Sequence, residues 1–224
     1  MIIVFSGVDC AGKSTQIEIL KKEFLSQGVT AQSLWSRGGY TPGFELIKKF
    51  LRIIIGKKMI PVGRSKEKQK AMSNSFIRYL WLTIAMLDLI FLYAIIIRIK
   101  SFLGKVIICD RYLGDTYIDF SLNFPKSNFN KMWLWKLLTA TLPKPDFCFL
   151  FTLSVENSIY RSNLKNEPFP DSKEVLQQRL DMYKLSALLN DDNWVKINGD
   201  DTIVFSADII KKKIFPMLKA NYAS

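Results

Sequence analysis

Nine residues near the start of the chain, Gly7-Val8-Asp9-Cys10-Ala11-Gly12-Lys13-Ser14-Thr15, have the types and spacing G-x-x-x-x-G-K-[ST] of a phosphate-cradling loop. The glycines let the backbone close around phosphate oxygens. A helix starting at Lys13 would offer unsatisfied N–H groups and a positive dipole end. On this reading all nine residues line the site of a nucleotide such as ATP, Lys13 reaches its β- and γ-phosphates, and the Ser14 hydroxyl ligates Mg²⁺. The bland alternative is a glycine-rich turn that binds nothing.

A second chemical position lies far along the chain. Lys105-Val106-Ile107-Ile108-Cys109-Asp110 is an apolar run closed by a carboxylate. A buried parallel strand that ends in Asp110 would aim that carboxylate at Mg²⁺ or its waters. Arg111 and Tyr112 follow directly. Arg37, in the turn-rich loop Ser36-Arg37-Gly38-Gly39, is a candidate clamp for a phosphate or substrate, with a plain surface arginine as the alternative.

These positions need a frame. The run 1–6 is β-branched and apolar, good for a buried strand, and Ile17, Leu20 and Phe24 recur at helical spacing behind the loop, with Gly28 as the expected helix end. Further strands are expected at 29–35, 105–110, 146–153 and 194–197. Helical patterns fall at 45–55, at 116–141 with a break near Pro125, at 156–164, at 172–189 and at 202–218. The segment 165–171 is polar and Pro-rich, so it reads as a loop. Five strands alternating with helices predict an α/β fold of the P-loop NTPase type. It would be a doubly wound, five-stranded parallel sheet flanked by helices, with a short lid, in one domain over 1–224.

Composition narrows the chemistry. The 224 residues carry a formal charge of +12, which favours anionic partners. No histidine is present, so histidine bases, histidine metal sites and Ser-His-Asp triads are excluded. Cys10, Cys109 and Cys148 are odd in number and lack C-x-x-C spacing, which reads as reduced thiols in a cytoplasmic setting. A signal peptide is not expected, because the phosphate loop begins at residue 7. Residues 48–70 are strongly basic, either a solvated face or a surface for anionic lipid or another polyanion.

Residues 79–97 hold a single charge, Asp88. By length and hydropathy this stretch reads as core plus a face for a second copy, as a helix lying on lipid, or as a membrane span. A span would put strand 2 or the next strand across a bilayer from the phosphate loop, which argues against it.

Taken together, the motifs resemble the thymidylate kinase family of nucleoside monophosphate kinases over nearly the whole chain. The residues that carry the resemblance are the loop with Asp9 inside it, Arg37-Gly38-Gly39 and, most specifically, Asp110-Arg111-Tyr112. The resemblance implies phosphoryl transfer from Mg²⁺-bound ATP to dTMP, in a homodimer packed through the 79–97 helix. It implies that Arg37 and Arg111, with Tyr112 beside them, hold the acceptor phosphate, and that Asp9 lies near the acceptor's reacting end. It equates the stretch from Arg161 to Asp171 with a lid over ATP. Cys10 stands where some members carry a catalytic arginine, which moves the catalytic charge to Arg161 and Lys165; a surface pair near a loop is the alternative for these two.

Other positions depart from the family. Asp115, Asp119 and Phe120 stand where a serine, a tyrosine and a glutamine usually follow, and Leu89 stands where an arginine often reaches the base. Three functions therefore stay open. One is a nucleoside monophosphate kinase, with dTMP as the default acceptor and no specific nucleic acid as partner. Another is a kinase of the same fold for a different phosphorylated small molecule: a modified nucleotide, a sugar or a lipid-linked group. The last is a non-catalytic nucleotide-binding protein in peripheral contact with a membrane.

Overall fold

Ile3, Val4 and Phe5 are fully buried because their strand is the middle of a sheet covered on both faces. A computed structural model of the chain describes residues 1–36, 41, 43–44, 74–166, 171–186, 189 and 192–222, with side chains of the last helix described to 216. Five parallel strands, β1 (Ile2–Gly7), β2 (Ala31–Trp35), β3 (Val106–Asp110), β4 (Phe147–Thr152) and β5 (Trp194–Asn198), lie in the order β2-β3-β1-β4-β5. Strand β3 sits beside β1, as the sequence reading requires. The chain thus has the α/β fold of a P-loop kinase.

Helix α1 (Lys13–Ser26) follows β1, buries Ile17, Leu20 and Phe24, and ends in a turn at Gly28, whose φ is 76°. A long helical rod runs from Ser75 to Phe102. It comprises α2 (Ser75–Ile90), a π-helical segment (Phe91–Ile97) and α3 (Arg98–Phe102). Asn74 caps its start, accepting N–H bonds from Phe76 and Ile77. After β3 come α4 (Leu113–Asn123), a 3₁₀ turn (Phe129–Lys131) and α5 (Trp133–Thr141). The break around Pro125 is where the sequence predicts it. Helices α6 (Val155–Leu164), α7 (Lys173–Leu185) and α8 (Ile203–Tyr222) complete the chain. The expected helix at 45–55, the basic run 48–70 and Arg37 lie outside the described residues.

Contacts divide the chain into two compact units: Met1–Trp35, Lys100–Ile118 and Lys144–Ser224 in one, Ser36–Ile99 and Asp119–Pro143 in the other. The first holds the sheet. Phe5, Phe149 and Phe151 cluster in its core, with ring centroids 5.3 and 5.6 Å from Phe5. The second has its own core. Leu82, Met86, Leu89, Tyr93 and Ile97 form the buried face of the rod, and Phe120 packs on Phe129 and Trp135. The one acid of the rod, Asp88, is buried there and accepts a hydrogen bond from Thr41 Oγ1. Burial raises its pKa.

Candidate active site

The loop after β1 is shaped by two glycines that have different reasons to be there. Gly7 has φ 128°, and a Cβ at that position would lie 1.9 Å from the Phe151 carbonyl oxygen on β4. Val8 N–H donates to that same oxygen at 3.1 Å, so strand and loop are stitched at closest approach. Gly12 has φ 92° with open space where a Cβ would go, and it needs only the left-handed backbone. Its carbonyl accepts the first intrahelical hydrogen bond of α1, from Gln16 N–H at 3.1 Å. No side chain caps α1 among the described residues, which leaves its leading N–H groups to serve an anion. Cys10 also takes a left-handed conformation, φ 63°, inside the loop.

Lys13 is buried, and its Nζ donates to the carbonyls of Gly7 at 2.9 Å and Val8 at 2.6 Å. Burial, helped by the nearby Arg111 guanidinium, lowers its pKa to about 8. An anion in the loop would reverse that shift by favouring the ammonium. Ser14 is exposed at the first turn of α1, where its hydroxyl can reach a metal.

Asp110 closes β3 at the carboxyl edge of the sheet, registered between Phe5 and Trp35. Its Oδ1 is buried with no hydrogen-bond partner among the described residues. Burial raises its pKa, opposed by Lys13 and Arg111. An orphaned carboxylate oxygen beside two cations fits a hydrated divalent ion. No cluster of three or more His, Cys, Asp or Glu suited to a metal occurs among the described residues.

Arg111 anchors the other side. Its backbone is left-handed, φ 79°, and its side chain is buried. Nη2 pairs with Asp9. Nη1 donates to Gly7 O at 3.2 Å, to Asp115 Oδ1 at 3.0 Å and to the Tyr183 hydroxyl at 3.2 Å. Asp115 is completely buried and saturated with donors: Tyr183 OH at 2.6 Å, Ser6 Oγ at 2.5 Å, Tyr112 N–H at 3.1 Å and Gly7 N–H at 3.4 Å. Burial and the adjacent Asp115 charge push the Tyr183 hydroxyl well above its usual pKa, so it stays a donor. One carboxylate therefore ties the end of β1, the first turn of α4 and the end of α7 to a single arginine.

Sequence reasoning notes Asp115 only as a departure from the resemblance; its place four residues after Arg111, one helical turn on, is the signal of a pair. Tyr183 and Ser6 carry no sequence signal for this role, because only the fold brings them in. Tyr112 is buried and gives its N–H to Asp115.

Arg161 reaches the loop from α6, donating to Gly199 O at 2.9 Å and Cys10 O at 3.3 Å, with Asp200 at 3.7 Å. Lys165 begins the turn after α6, and residues 167–170 beyond it lie outside the described ones. Arg161 and Lys165 line a cavity of about 260 Å³ together with Cys10, Thr15, Gln16 and Ile203. The structure thus gathers Asp9, Lys13, Asp110 and Arg111 into one cluster and brings Arg161 and Lys165 to the neighbouring cavity.

The chain is similar to curated thymidylate kinases along nearly all of its length. It is 25% identical over 216 residues to the thymidylate kinase of Bartonella henselae, covering 93% of this chain and 92% of that protein. It is 26% identical over 224 residues to a probable thymidylate kinase of Methanocaldococcus jannaschii, covering 98% and 96%. With the thymidylate kinase of Plasmodium falciparum it shares 26% identity over 213 residues, covering 94% and 88%. No family model matches the chain. By this likeness the chain is thymidylate kinase-like.

Proposed function

We propose that this thymidylate kinase-like chain acts as one kinase domain over 1–224 and transfers the γ-phosphoryl group of ATP to the phosphate of a nucleoside monophosphate, with dTMP as the default acceptor. The observation that carries the reading is the cluster at the carboxyl edge of the sheet. There Lys13, the orphaned oxygen of Asp110 and the tethered Arg111 converge around the phosphate loop. An acceptor phosphate oxygen attacks the γ-phosphorus, and the bond to the β–γ bridging oxygen breaks with its electron pair leaving on ADP. Catalysis of such a transfer is mostly positioning and charge stabilisation.

Each residue then has a task. The loop N–H groups and Lys13 hold the donor phosphates. Ser14 and Asp110 would hold Mg²⁺, which supplies neutralisation of the donor charge. Arg111, with Arg37, takes the acceptor phosphate, and its second edge stays fixed on Asp115 and Tyr183 while Asp9 yields Nη2. Arg161 and Lys165 bring positive charge from α6 and the turn that follows, a lid that would exclude water when closed. We place the reaction in the cytoplasm, where the thiols of Cys10, Cys109 and Cys148 stay reduced. The homodimer implied by the resemblance would pack through the 79–97 helix, within the rod.

A second reading, the same fold with a different acceptor, is favoured by one observation. Phe120 and Leu89, at positions where the resemblance has base-contacting residues, are core side chains, 1% and 0% exposed. A coupled ADP-release assay decides between them. Rapid dTMP-dependent turnover that disappears in Lys13→Ala establishes the first reading. Turnover only with another acceptor establishes the second, and ATP binding without acceptor-dependent turnover leaves a non-catalytic nucleotide-binding protein. Turnover unchanged in Lys13→Ala would refute the phosphate-loop assignment.

A further inference from the structure

Two acids follow Gly199 in the turn between β5 and α8, and only one of them is engaged. Asp200 accepts a hydrogen bond from Asn157 Nδ2 at 2.7 Å and lies 3.7 Å from Arg161. Asp201 gives its N–H to Asn198 O at 3.1 Å, but its carboxylate has no hydrogen bond or ion pair among the described residues. Helix capping does not account for it, because Thr202 Oγ1 already accepts the Phe205 N–H at 3.2 Å at the start of α8.

Asp201 lines the cavity of about 260 Å³ beside the phosphate loop. Two contacts fix it there. A Cβ at Gly199 would lie 3.0 Å from the carbonyl oxygens of Ala11 and Thr152, so the absence of a side chain lets the turn press onto the loop. Gln16 Nε2 donates to Ile203 O at 2.9 Å and pins the start of α8 to α1. Gln16 also lines the cavity, and its Oε1 is buried without a hydrogen-bond partner among the described residues. The cavity thus joins the loop residues Gly12 and Thr15 to apolar Ile203 and Phe151 and to two unmatched acceptors.

We propose that Asp201 reads the base of the donor nucleotide, and that the site takes guanine nucleotides as well as ATP. The inference rests on the proposed kinase reading only in seating the phosphates on the loop; from there the rest of the nucleotide enters the adjoining cavity. An ionised carboxylate accepts hydrogen bonds and donates none. Guanine offers two adjacent donors, N1–H and the 2-amino group, which match the two carboxylate oxygens in parallel. Adenine offers its 6-amino group beside the acceptor N1, so one carboxylate oxygen is served and the other faces a lone pair. A phosphate is a poor occupant of this end of the cavity, because it would meet the carboxylate's charge. A ribose hydroxyl would use Asp201 without regard to the base.

Isothermal titration of the full chain with ADP, GDP and xanthosine diphosphate tests the assignment, and it needs neither an acceptor nor turnover. GDP should bind about tenfold more tightly than ADP. Asp201→Asn places an amide N–H where the carboxylate had an acceptor. It should weaken GDP about tenfold and strengthen xanthosine diphosphate by a similar factor, because xanthine carries a carbonyl in place of the 2-amino group. The carboxylate is unpaired at a partly exposed turn, so the variant should keep its fold, as circular dichroism would check. A merely structural Asp201 would shift all three nucleotides together. Equal affinity of the wild type for ADP and GDP overturns the proposal and leaves the phosphate loop standing. An equal loss of both in Asp201→Asn, the mark of a ribose contact, does the same. Absence of binding by any of the nucleotides refutes the loop itself, and the proposal with it.

Discussion

Lys13 shows how a site residue is shaped by what surrounds it. The chain buries its ammonium against two carbonyls and beside Arg111, and the pKa falls from 10.5 to about 8. Between those values the unfolded chain binds the extra proton, so this group makes stability rise with pH across the window from about 8 to 10.5. The full shift corresponds to about 3 kcal/mol. Chemical denaturation of the wild type and Lys13→Met over that range should show the wild type gaining up to that amount relative to the variant. A constant difference would mean that Lys13 is not desolvated as placed. Comparison with the variant cancels Cys109, whose burial raises its pKa to about 12 and whose contribution has the opposite sign above pH 9.

At the level of elements, the site depends on how β1 hands over to α1. Gly7 sits where the loop touches the backbone of β4, so a methyl group there meets an immovable carbonyl as well as an unfavourable φ. Gly12 faces open space and has only the φ cost, about 1–2 kcal/mol. Gly7→Ala should therefore abolish ATP binding and lower the urea midpoint far more than Gly12→Ala, measured by isothermal titration and denaturation. Equal effects of the two substitutions would show that the stitch between loop and β4 is not what orders the site. The strand–loop–helix order itself, and the carboxylate at the end of β3, are legible locally: an apolar β-branched run followed by the glycine pattern needs no partner to be read. Asp115 is not legible in that way. Its partners come from β1, the start of α4 and α7, and nothing in the sequence near residue 115 announces Tyr183 or Ser6.

The whole molecule divides its labour by chemistry. One unit carries the cluster of Lys13, Asp110 and Arg111 and is close to neutral; the other carries most of the net positive charge and the exposed apolar stripe of the rod. Acceptor choice belongs to this scale, because base recognition would draw on Leu89, Asp119 and Phe120, far in sequence from the loop. With Leu89 and Phe120 committed to the core, a thymine base would lack two of the hydrogen-bonding partners the resemblance implies. A site without such partners discriminates weakly. The ratio of kcat/KM for dTMP over dCMP should thus be within about tenfold. A preference of 10⁴ or more, the range seen where buried hydrogen bonds read the substrate, would show that other residues read the base.

The sequence by itself determined the phosphate loop, the Asp110-Arg111-Tyr112 motif, the five-strand α/β order and the position of the long apolar helix. Each is written in nearest-neighbour spacing and in the period of strand or helix. Only the tertiary structure decided that Arg111 is held between Asp9 and Asp115, that one buried Asp110 oxygen has no hydrogen-bond partner among the described residues, and which side of the rod is covered. Periodicity states that residues 79–97 are apolar all round; it cannot state which face meets a core, because that depends on elements such as α5 that lie far away in sequence. The buried charge network has the same origin, since a carboxylate's partners are set by where the chain returns and not by its neighbours along it.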